Sequence, residues 1–382
     1  MKMTKFFALL CAVAGFAACT PAETPSEEPA PEAKGKLTLT ADKTQIEMGE
    51  SIKFTVTMKD EETGETTDIT SLAKLYDSNL DPVSNPFTPQ ASGNYTINAT
   101  YGAESSNNVD IMVMATMPDF PADPQPDNYA FNHRVVLTDH TGVNCPYCPQ
   151  MVDKLEQLAK TEYHNHYNEV TCHGNGGNLT AGDPANSQAA ELLGQFHSSA
   201  LGNFGMPTVI VNFYAEKVVN SAAALNNLKS AIDSAIKKDG AEVGISMAVA
   251  GDKSNVYCAA QIKSAETKEY KVVAWLLESG IYSANQAGAQ KDSHRIYNYA
   301  IRNISGEFSR ANVSGESVGV IEEGKTKEFA VSIPITSTKW KPENMGVLVI
   351  VSAKDAQGRW EVANSAYCSV NDGVKEFEYI AK

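Results

Sequence analysis

Two cysteines separated by two residues, in the run Cys145-Pro-Tyr-Cys148, are the side chains best suited to covalent chemistry. Cysteines at this spacing can close a small disulfide and reopen it by thiolate exchange. The apolar run from Val135 to Leu137 predicts a short buried strand before them. After Pro149, apolar residues recur at helical spacing, so the cysteines lie where a strand passes into a helix. Because the unpaired N–H groups of a helix start favour an anion, we expect the first thiol to ionise readily.

This arrangement resembles the thioredoxin fold, and two further positions carry the resemblance. Gly205-Met206-Pro207-Thr208 stands before an apolar run, where the family has a proline that is cis and faces the disulfide. Asp139 lies six residues before Cys145, where thioredoxins carry a buried acid that handles the proton of the second cysteine. The alternative for Asp139 is an exposed acid at a strand end. The chain departs from thioredoxin at Asn144, which replaces a tryptophan, and by a helix inserted before Pro207.

The resemblance implies a role for each residue of the motif. Cys145 would be the attacking thiolate, Cys148 the resolving thiol, Asp139 the proton relay and Pro207 the residue facing the sulfurs. The residues expected to contact a substrate are Pro146, Tyr147, Met206 and Thr208. No cofactor is expected beyond the Cys145–Cys148 disulfide itself. The competing interpretations are half a zinc site, for which a second cysteine pair is missing, and a structural clip.

Length and composition bound the remaining possibilities. A chain of 382 residues predicts two or three domains. The hydrophobic content of 42% and charged content of 20% are typical of soluble globular proteins. The formal charge of −15 argues against nucleic acid or an anionic membrane surface as a partner.

The N-terminus carries a targeting signal. Lys2 and Lys5 precede the apolar run from Phe6 to Phe16, a pattern typical of a secretory signal. Ala17-Ala18-Cys19 resembles the bacterial lipobox, which implies cleavage before Cys19 and lipid attachment to it. The alternative is an ordinary signal peptide cleaved nearby. We therefore expect a cell-envelope protein anchored by lipid to the outer membrane, on its periplasmic face or at the cell surface.

The pattern along the chain predicts a multidomain protein. The predicted order is a lipoprotein signal peptide (1–18), a disordered tether (19–35), an Ig-like β-sandwich (36–115), a proline-rich linker (116–128), a thioredoxin-like α/β domain with a helical insertion (129–239) and a C-terminal β-sandwich (241–382). Asp183-Pro184 has the form of a helix N-cap and predicts the start of the inserted helix. Strands are predicted over 243–249, 256–262, 270–277, 296–304, 327–335, 347–351 and 362–370.

A second resemblance extends over roughly residues 135–370. The run from Val272 to Ile281, then His294, Tyr297 to Arg302 and Gly306-Glu307, resembles a lipoprotein family of Gram-negative anaerobes named for an outer-membrane protein of twenty-eight kilodaltons. In that family a thioredoxin-like domain with Thr-Gly-x-x-Cys-x-x-Cys-Pro is joined to such a β domain. The leading Ig-like module is an addition that the resemblance does not address.

The other cysteines and the histidines have less specific patterns. Cys258 and Cys368 could pair in the last domain, or they and Cys172 could be three buried thiols. His164, His166 and His173 match no zinc motif well, and we expect solvent-exposed side chains rather than a metal site.

Two functions follow from these patterns. The first is a lipid-anchored thiol–disulfide oxidoreductase that exchanges disulfides with exported proteins and an unknown redox partner. The alternative is a non-catalytic outer-membrane or surface lipoprotein whose β-sandwiches bind a partner, with the cysteine pair as a structural disulfide. The direction of exchange, reductase or oxidase, does not follow from Pro-Tyr.

Overall fold

The computed structural model describes residues 35–90, 92–306 and 313–380, and this part of the chain is mostly β-strand. The predicted signal peptide, Cys19 and nearly all of the tether lie outside the described residues. Within the described ranges, none of the helices has the length and apolar character needed to cross a membrane.

The N-terminal region is all β, as its alternating sequence predicts. Its strands are β1 (Lys36–Ala41), β2 (Gln45–Glu47), β3 (Phe54–Lys59), β4 (Thr66–Asp68), β5 (Lys74–Asp77), β6 (Pro82–Val83), β7 (Gly93–Tyr101), β8 (Glu104–Ser105) and β9 (Val109–Met114). One sheet has the order β1-β3-β4 and the other β2-β9-β7-β5-β6, with β8 beside β7. Alternate residues such as Leu37 and Leu39 are buried, and both sheets contribute to one core.

The cysteine motif is held by a β-α-β unit and a hairpin. β10 (Val135–His140) lies parallel to β11 (Tyr167–Cys172) and antiparallel to β12 (Thr208–Val211), which pairs with β13 (Glu216–Val219). All of β10 is buried, as expected for a strand covered on both faces.

Helices cover both faces of these strands. The α-helices of the described residues are α1 (Cys148–Leu158), α2 (Gln188–Leu201) and α3 (Ala224–Ala235). Leu137 packs in the cluster that contains residues of α1 and α3, whereas Val136 packs in the cluster that contains residues of α2. Because successive strand residues face opposite sides, Asp139 lies on the α1 side of the sheet.

The same sheet continues into the C-terminal region. The remaining strands are β14 (Val243–Gly251), β15 (Asn255–Ser264), β16 (Lys268–Glu278), β17 (Ile281–Tyr282), β18 (Ile296–Tyr297), β19 (Ala300–Ile304), β20 (Glu316–Ile321), β21 (Thr326–Pro334), β22 (Met345–Lys354), β23 (Trp360–Ser369) and β24 (Val374–Lys375). β11 pairs in parallel with β19 at Thr171 and Ala300, which gives the sheet order β13-β12-β10-β11-β19-β16-β22-β23. A second sheet, β21-β15-β14-β24, shares a core with it. The sequence did not predict that one sheet would join the two regions.

Several boundaries differ from the sequence predictions. The inserted helix does not start at Asp183: α2 starts at Gln188, where the Ser187 hydroxyl accepts a hydrogen bond from the Ala190 N–H. The Asp183 carboxylate is instead occupied by partners outside α2. The predicted strand over 296–304 is interrupted at Tyr299, whose φ of 54° takes the backbone out of the extended conformation.

Candidate functional site

Cys145 and Cys148 form a disulfide with a Cα–Cα distance of 5.5 Å. Each cysteine is only 1% exposed. Cys148 is the first residue of α1, which puts the cysteines at the predicted junction of strand and helix, and the Cys145 N–H donates to the Gly142 carbonyl at 3.0 Å. Tyr147, between the cysteines, is 62% exposed. The motif therefore presents an aromatic ring to solvent rather than its sulfur atoms.

Residues 283–295, which we call the covering segment, lie over the cysteine turn. The Ala287 N–H donates to the Val143 carbonyl at 2.8 Å, and the Gln286 side-chain amide donates to the Cys145 carbonyl at 3.2 Å. Gly288 has a φ of +71°, and a Cβ added there would lie 2.2 Å from the Pro146 carbonyl oxygen. A side chain at this position would not fit, so the close approach requires glycine.

Polar contacts on both sides anchor the covering segment. The Tyr297 hydroxyl donates to Gln286 Oε1 at 2.8 Å, which orients the amide that reaches the cysteine turn. Lys291 Nζ lies 2.8 Å from Asp153 Oδ1 and 2.5 Å from Glu156 Oε2 on α1. His294 Nε2 lies 3.0 Å from the same Asp153 oxygen. The sequence pointed to His294 and Tyr297 without indicating a role for either, and it did not identify Gln286, Lys291, Asp153 or Glu156.

The predicted proline lies at the same edge of the sheet as the cysteine turn. The Met206–Pro207 bond is cis, in agreement with the resemblance. Thr208, the next residue, pairs with His140, and the cysteine turn follows directly after His140. Pro207 and Thr208 are buried, Met206 is half-buried, and the Thr208 hydroxyl donates to the Gly205 carbonyl at 2.7 Å. Neither Met206 nor Thr208 thus offers a fully exposed surface beside the disulfide.

Asp139 is buried, so the alternative of an exposed acid at a strand end is wrong. Its side chain is 1% exposed, and neither carboxylate oxygen has a hydrogen-bond partner among the described residues. Burial raises the pKa of Asp139 well above its ordinary value, and the nearby Glu169 raises it further. A carboxyl group in this environment favours the protonated form.

Asp139 lines a cavity of about 240 Å³ together with Cys148. We call it the acidic cavity. Its other lining residues include Glu156, Glu169, His173, Gln286 and Tyr297. Burial raises the pKa of Glu169 to about 7, with a smaller contribution from Glu156. The acidic cavity thus places two carboxyl groups with raised pKa values beside one cysteine of the disulfide.

His173 and Asp183 form a second buried pair at this site. His173 Nδ1 lies 2.8 Å from Asp183 Oδ2, and that oxygen also accepts the Val143 N–H at 2.7 Å. The other oxygen accepts the Ala185 N–H at 2.9 Å. His173 is 1% exposed, so its predicted solvent exposure is wrong, whereas His164 is exposed as predicted. Asp183 therefore fixes both the imidazole and the start of the cysteine turn.

The other thiols are separate from this site. Cys172, Cys258 and Cys368 are free and buried, so the possible Cys258–Cys368 disulfide is not formed. Burial raises the pKa of the Cys172 and Cys258 thiols far above the usual range and that of Cys368 to about 11, which leaves them protonated and unreactive. Within the ranges that the structure describes, no cluster of three or more His, Cys, Asp or Glu side chains is arranged to hold a metal ion.

A family model described as "Outer membrane protein Omp28" matches residues 195–371. The match covers less than half of the chain. It contains Met206, Pro207 and the covering segment but not the cysteine motif or Asp139. The description supports an outer-membrane or envelope location. It provides no support for oxidoreductase activity.

Among solved structures, HBP35 of Porphyromonas gingivalis aligns with a TM-score of 0.51 and 17% identity, over 67% of this chain and 79% of that one. A structural-genomics protein of Agrobacterium tumefaciens aligns with a TM-score of 0.41 and 16% identity, over 64% of this chain and 97% of that one. No curated protein sequence matches the chain. The first likeness concerns the fold alone.

Proposed function

We propose that this protein is a cell-envelope lipoprotein that acts by binding a partner, and that its Cys145–Cys148 disulfide is a structural clip. The observation that carries this proposal is the burial of both cysteines beneath the covering segment. Thiol–disulfide exchange requires a thiolate to reach a sulfur atom in line with the bond that breaks. With each cysteine only 1% exposed, the folded chain offers a substrate thiolate no open approach of this kind.

The clip has a clear local purpose in this proposal. It ties the turn after β10 to the first residue of α1, and the covering segment then binds the carbonyl groups that this turn presents. In this proposal the central region serves as a thioredoxin-like scaffold, which the β-α-β unit, the hairpin and the cis Pro207 support. The scaffold supports a β surface, and the Ig-like module and C-terminal sheets would provide the binding faces.

The envelope location supports the same proposal. The family description is that of an outer-membrane protein, and Cys19 supplies the lipid attachment that the N-terminal signal implies. The lipid would hold the described residues at the membrane through the tether that follows it, leaving the partner to be recognised by protein surfaces.

The proposal is tested by the accessibility of the disulfide in the folded full chain. We expect dithiothreitol to leave Cys145–Cys148 intact without denaturant and to reduce it in urea, as measured by labelling with a maleimide of high mass. A buried clip should have a reduction potential below about −300 mV, whereas exchange catalysts lie at roughly −200 to −270 mV. Insulin should not be reduced.

The Cys145→Ser/Cys148→Ser variant provides the matched control. Loss of so short a cross-link should lower the free energy of unfolding by about 2 kcal/mol. The fold should be retained, as measured by circular dichroism. Rapid reduction of the native protein, or insulin turnover that this variant lacks, would contradict the clip.

A second candidate is thiol–disulfide exchange, and the unpartnered Asp139 beside Cys148 favours it. In this mechanism the Cys145 thiolate attacks a substrate disulfide, whose leaving sulfur departs as a thiolate and takes up a proton. Cys148 then gives its proton to Asp139 in its ionised form and attacks the Cys145 sulfur of the mixed disulfide, which re-forms Cys145–Cys148. The second substrate sulfur leaves as a thiolate and takes up that proton from Asp139. The reverse sequence oxidises a substrate dithiol.

Exchange would require the covering segment to leave the cysteine turn, because Gly288 occupies the space beside Pro146 that a substrate paired next to Met206 and Thr208 needs. A Cys148→Ser variant should then trap a mixed disulfide through Cys145 with an exported protein. Absence of any trapped species, in a chain whose covering segment has been displaced by substitution of Gly288, would exclude this candidate.

A further inference from the structure

We propose that the acidic cavity binds a small organic cation through a primary ammonium group. The proposal goes beyond the clip and the partner-binding surface, and it requires neither. It rests on buried acceptors that lack donors, on the charge of the lining and on the shape of the cavity.

The acidic cavity has hydrogen-bond acceptors without donors. Both carboxylate oxygens of Asp139 are buried and unpaired with respect to the described part of the chain, and so is His173 Nε2. Asp183 Oδ2 accepts two hydrogen bonds, one of them from His173 Nδ1, which places the imidazole proton on Nδ1. His173 Nε2 is the ring nitrogen that is left without a partner. Groups of this kind are normally paired in proteins, so a ligand that donates hydrogen bonds is the complementary occupant.

The charged side chains that line the acidic cavity also favour a cation. Asp139, Glu156 and Glu169 line the acidic cavity, and no Lys or Arg of the described residues does. Lys291, at its edge, is bound by Asp153 and Glu156. A cation that enters the cavity would supply the positive charge that balances these carboxyl groups.

One arginine lies close by but has other partners. Arg134 lines an adjoining cavity that shares Glu169 and Tyr299 with the acidic cavity. Its guanidinium donates to Glu378 at 2.5 Å and to the His164 carbonyl at 3.0 Å. It is therefore not available to neutralise Asp139.

The shape suits an ammonium on a short chain. Asp139, Cys148 and His173 are buried, whereas Ala159, Ile296, Asn298 and Tyr299, on the same lining, are exposed and form the entrance. A volume of about 240 Å³ corresponds to roughly eight waters at about 30 Å³ each. Tyr297 and Tyr299 are among the lining residues, and aromatic rings attract cations.

Binding should be coupled to protons. Burial raises the pKa of Asp139 and Glu169, whereas a bound ammonium favours their ionised forms. Glu156 on α1, His173 after β11 and His294 on the covering segment also face the acidic cavity, as does Asp139 on β10. Entry of the cation should release protons, so that affinity rises with pH between about 6 and 8.

The test is calorimetric titration of the oxidised full chain in detergent with putrescine, in two buffers of different ionisation enthalpy at pH 7.5. We expect saturable binding with one site and with proton release. The Asp139→Asn and Glu169→Gln variants should each weaken it at least tenfold. Glu162→Gln, which removes an exposed acid outside the acidic cavity, is the matched control and should change affinity less than twofold.

Further probes separate the possible sources of the ammonium. Butane-1,4-diol, which lacks the charge, should not bind. Binding of N-acetyl-lysine methylamide would show that a protein lysine can enter, whereas binding of putrescine alone would indicate a free diamine. Absence of saturable heat at 10 mM putrescine, or an equal loss of affinity in Glu162→Gln, would overturn the proposal. Glu169 is only half-buried, so Glu169→Gln tests the site at a position where the fold is less constrained than at Asp139.

Discussion

Two buried acids near the cysteine turn have opposite surroundings. Asp183 has a partner for each oxygen: two backbone N–H groups and the His173 ring. Asp139 has none among the residues described. Both are nearly inaccessible to solvent, so the difference lies in pairing rather than in burial.

The contrast separates a structural acid from one available to a ligand or a proton. A buried carboxylate with several donors stabilises the segments that supply them. A buried carboxyl group without donors is costly to the fold, and such groups are concentrated at functional sites. Substitutions at the two positions should therefore have opposite effects on stability, and changes to the covering segment over the cysteine turn should alter access to the disulfide.

Asp183→Ala should have the largest effect on stability. It leaves the Val143 N–H and His173 Nδ1 without an acceptor in a buried site, and we expect a loss of about 3 kcal/mol in the free energy of unfolding. The free energy of unfolding is measured by urea denaturation, monitored through tryptophan fluorescence. Asp292→Ala, at a side chain that is 98% exposed, should change the value by less than about 0.5 kcal/mol. Equal effects of the two variants would show that the buried contacts of Asp183 do not stabilise the fold.

Gly288→Val should have the next largest effect on stability, because it acts on the covering segment. A valine there meets the Pro146 carbonyl and requires a positive φ, which together should cost about 2 kcal/mol. Displacement of the segment should speed reduction of Cys145–Cys148 by tris(2-carboxyethyl)phosphine at least tenfold. Gly358→Val is the matched control, because Gly358 has a φ of +76° and open space around it. If the Cys145–Cys148 disulfide is reduced at the same rate in both variants, the covering segment does not protect it.

Asp139→Asn should stabilise the protein, in contrast to Asp183→Ala. Because the pKa of Asp139 is raised in the folded state, its contribution is full below about pH 4 and is lost as pH rises toward the folded-state pKa. Asparagine does not ionise, so the variant should gain about 1 kcal/mol at pH 8 and little at pH 4. Urea titrations at the two pH values test this. A destabilised variant at pH 8 would indicate that the ionised carboxylate has partners in solution.

Lys291→Ala should have the smallest effect. Its ion pairs with Asp153 and Glu156 are partly exposed, and exposed pairs are weak and screened by salt. We expect disulfide reduction to be at most about threefold faster, with the difference vanishing at 0.5 M NaCl. Reduction measured in 0.05 M and 0.5 M NaCl tests this. A larger effect than that of Gly288→Val would make the ion pairs the main restraint.

The sequence predicted the elements whose signals are local. The Cys-x-x-Cys spacing and the apolar periodicity around it predicted the strand, the disulfide and α1, which begins at Cys148. The resemblance led to the cis proline at 207. The sequence alone could not decide whether Asp139 is buried. The alternation of side chains along a strand indicates which face of the sheet a residue lies on, but not what covers that face.

The missed parts are contacts between residues far apart in the chain. Gln286 binds a carbonyl 141 residues away, and Asp183 binds an amide 40 residues away. The prediction of a helix N-cap at Asp183-Pro184 was wrong because the same residues favour any turn in which a side chain accepts local N–H groups. Gly288 carries no signal of its own, since a glycine required for close approach looks in sequence like any loop glycine.

The position of the covering segment also sets an order of events. A chain emerging N-terminus first presents Cys145 and Cys148 well before residues 283–295. For that interval the two thiols are open to whatever oxidant the compartment holds, and docking of the later segment then shields them. If the disulfide is the proposed clip, its covalent state is set before the covering segment docks, and the folded molecule keeps it.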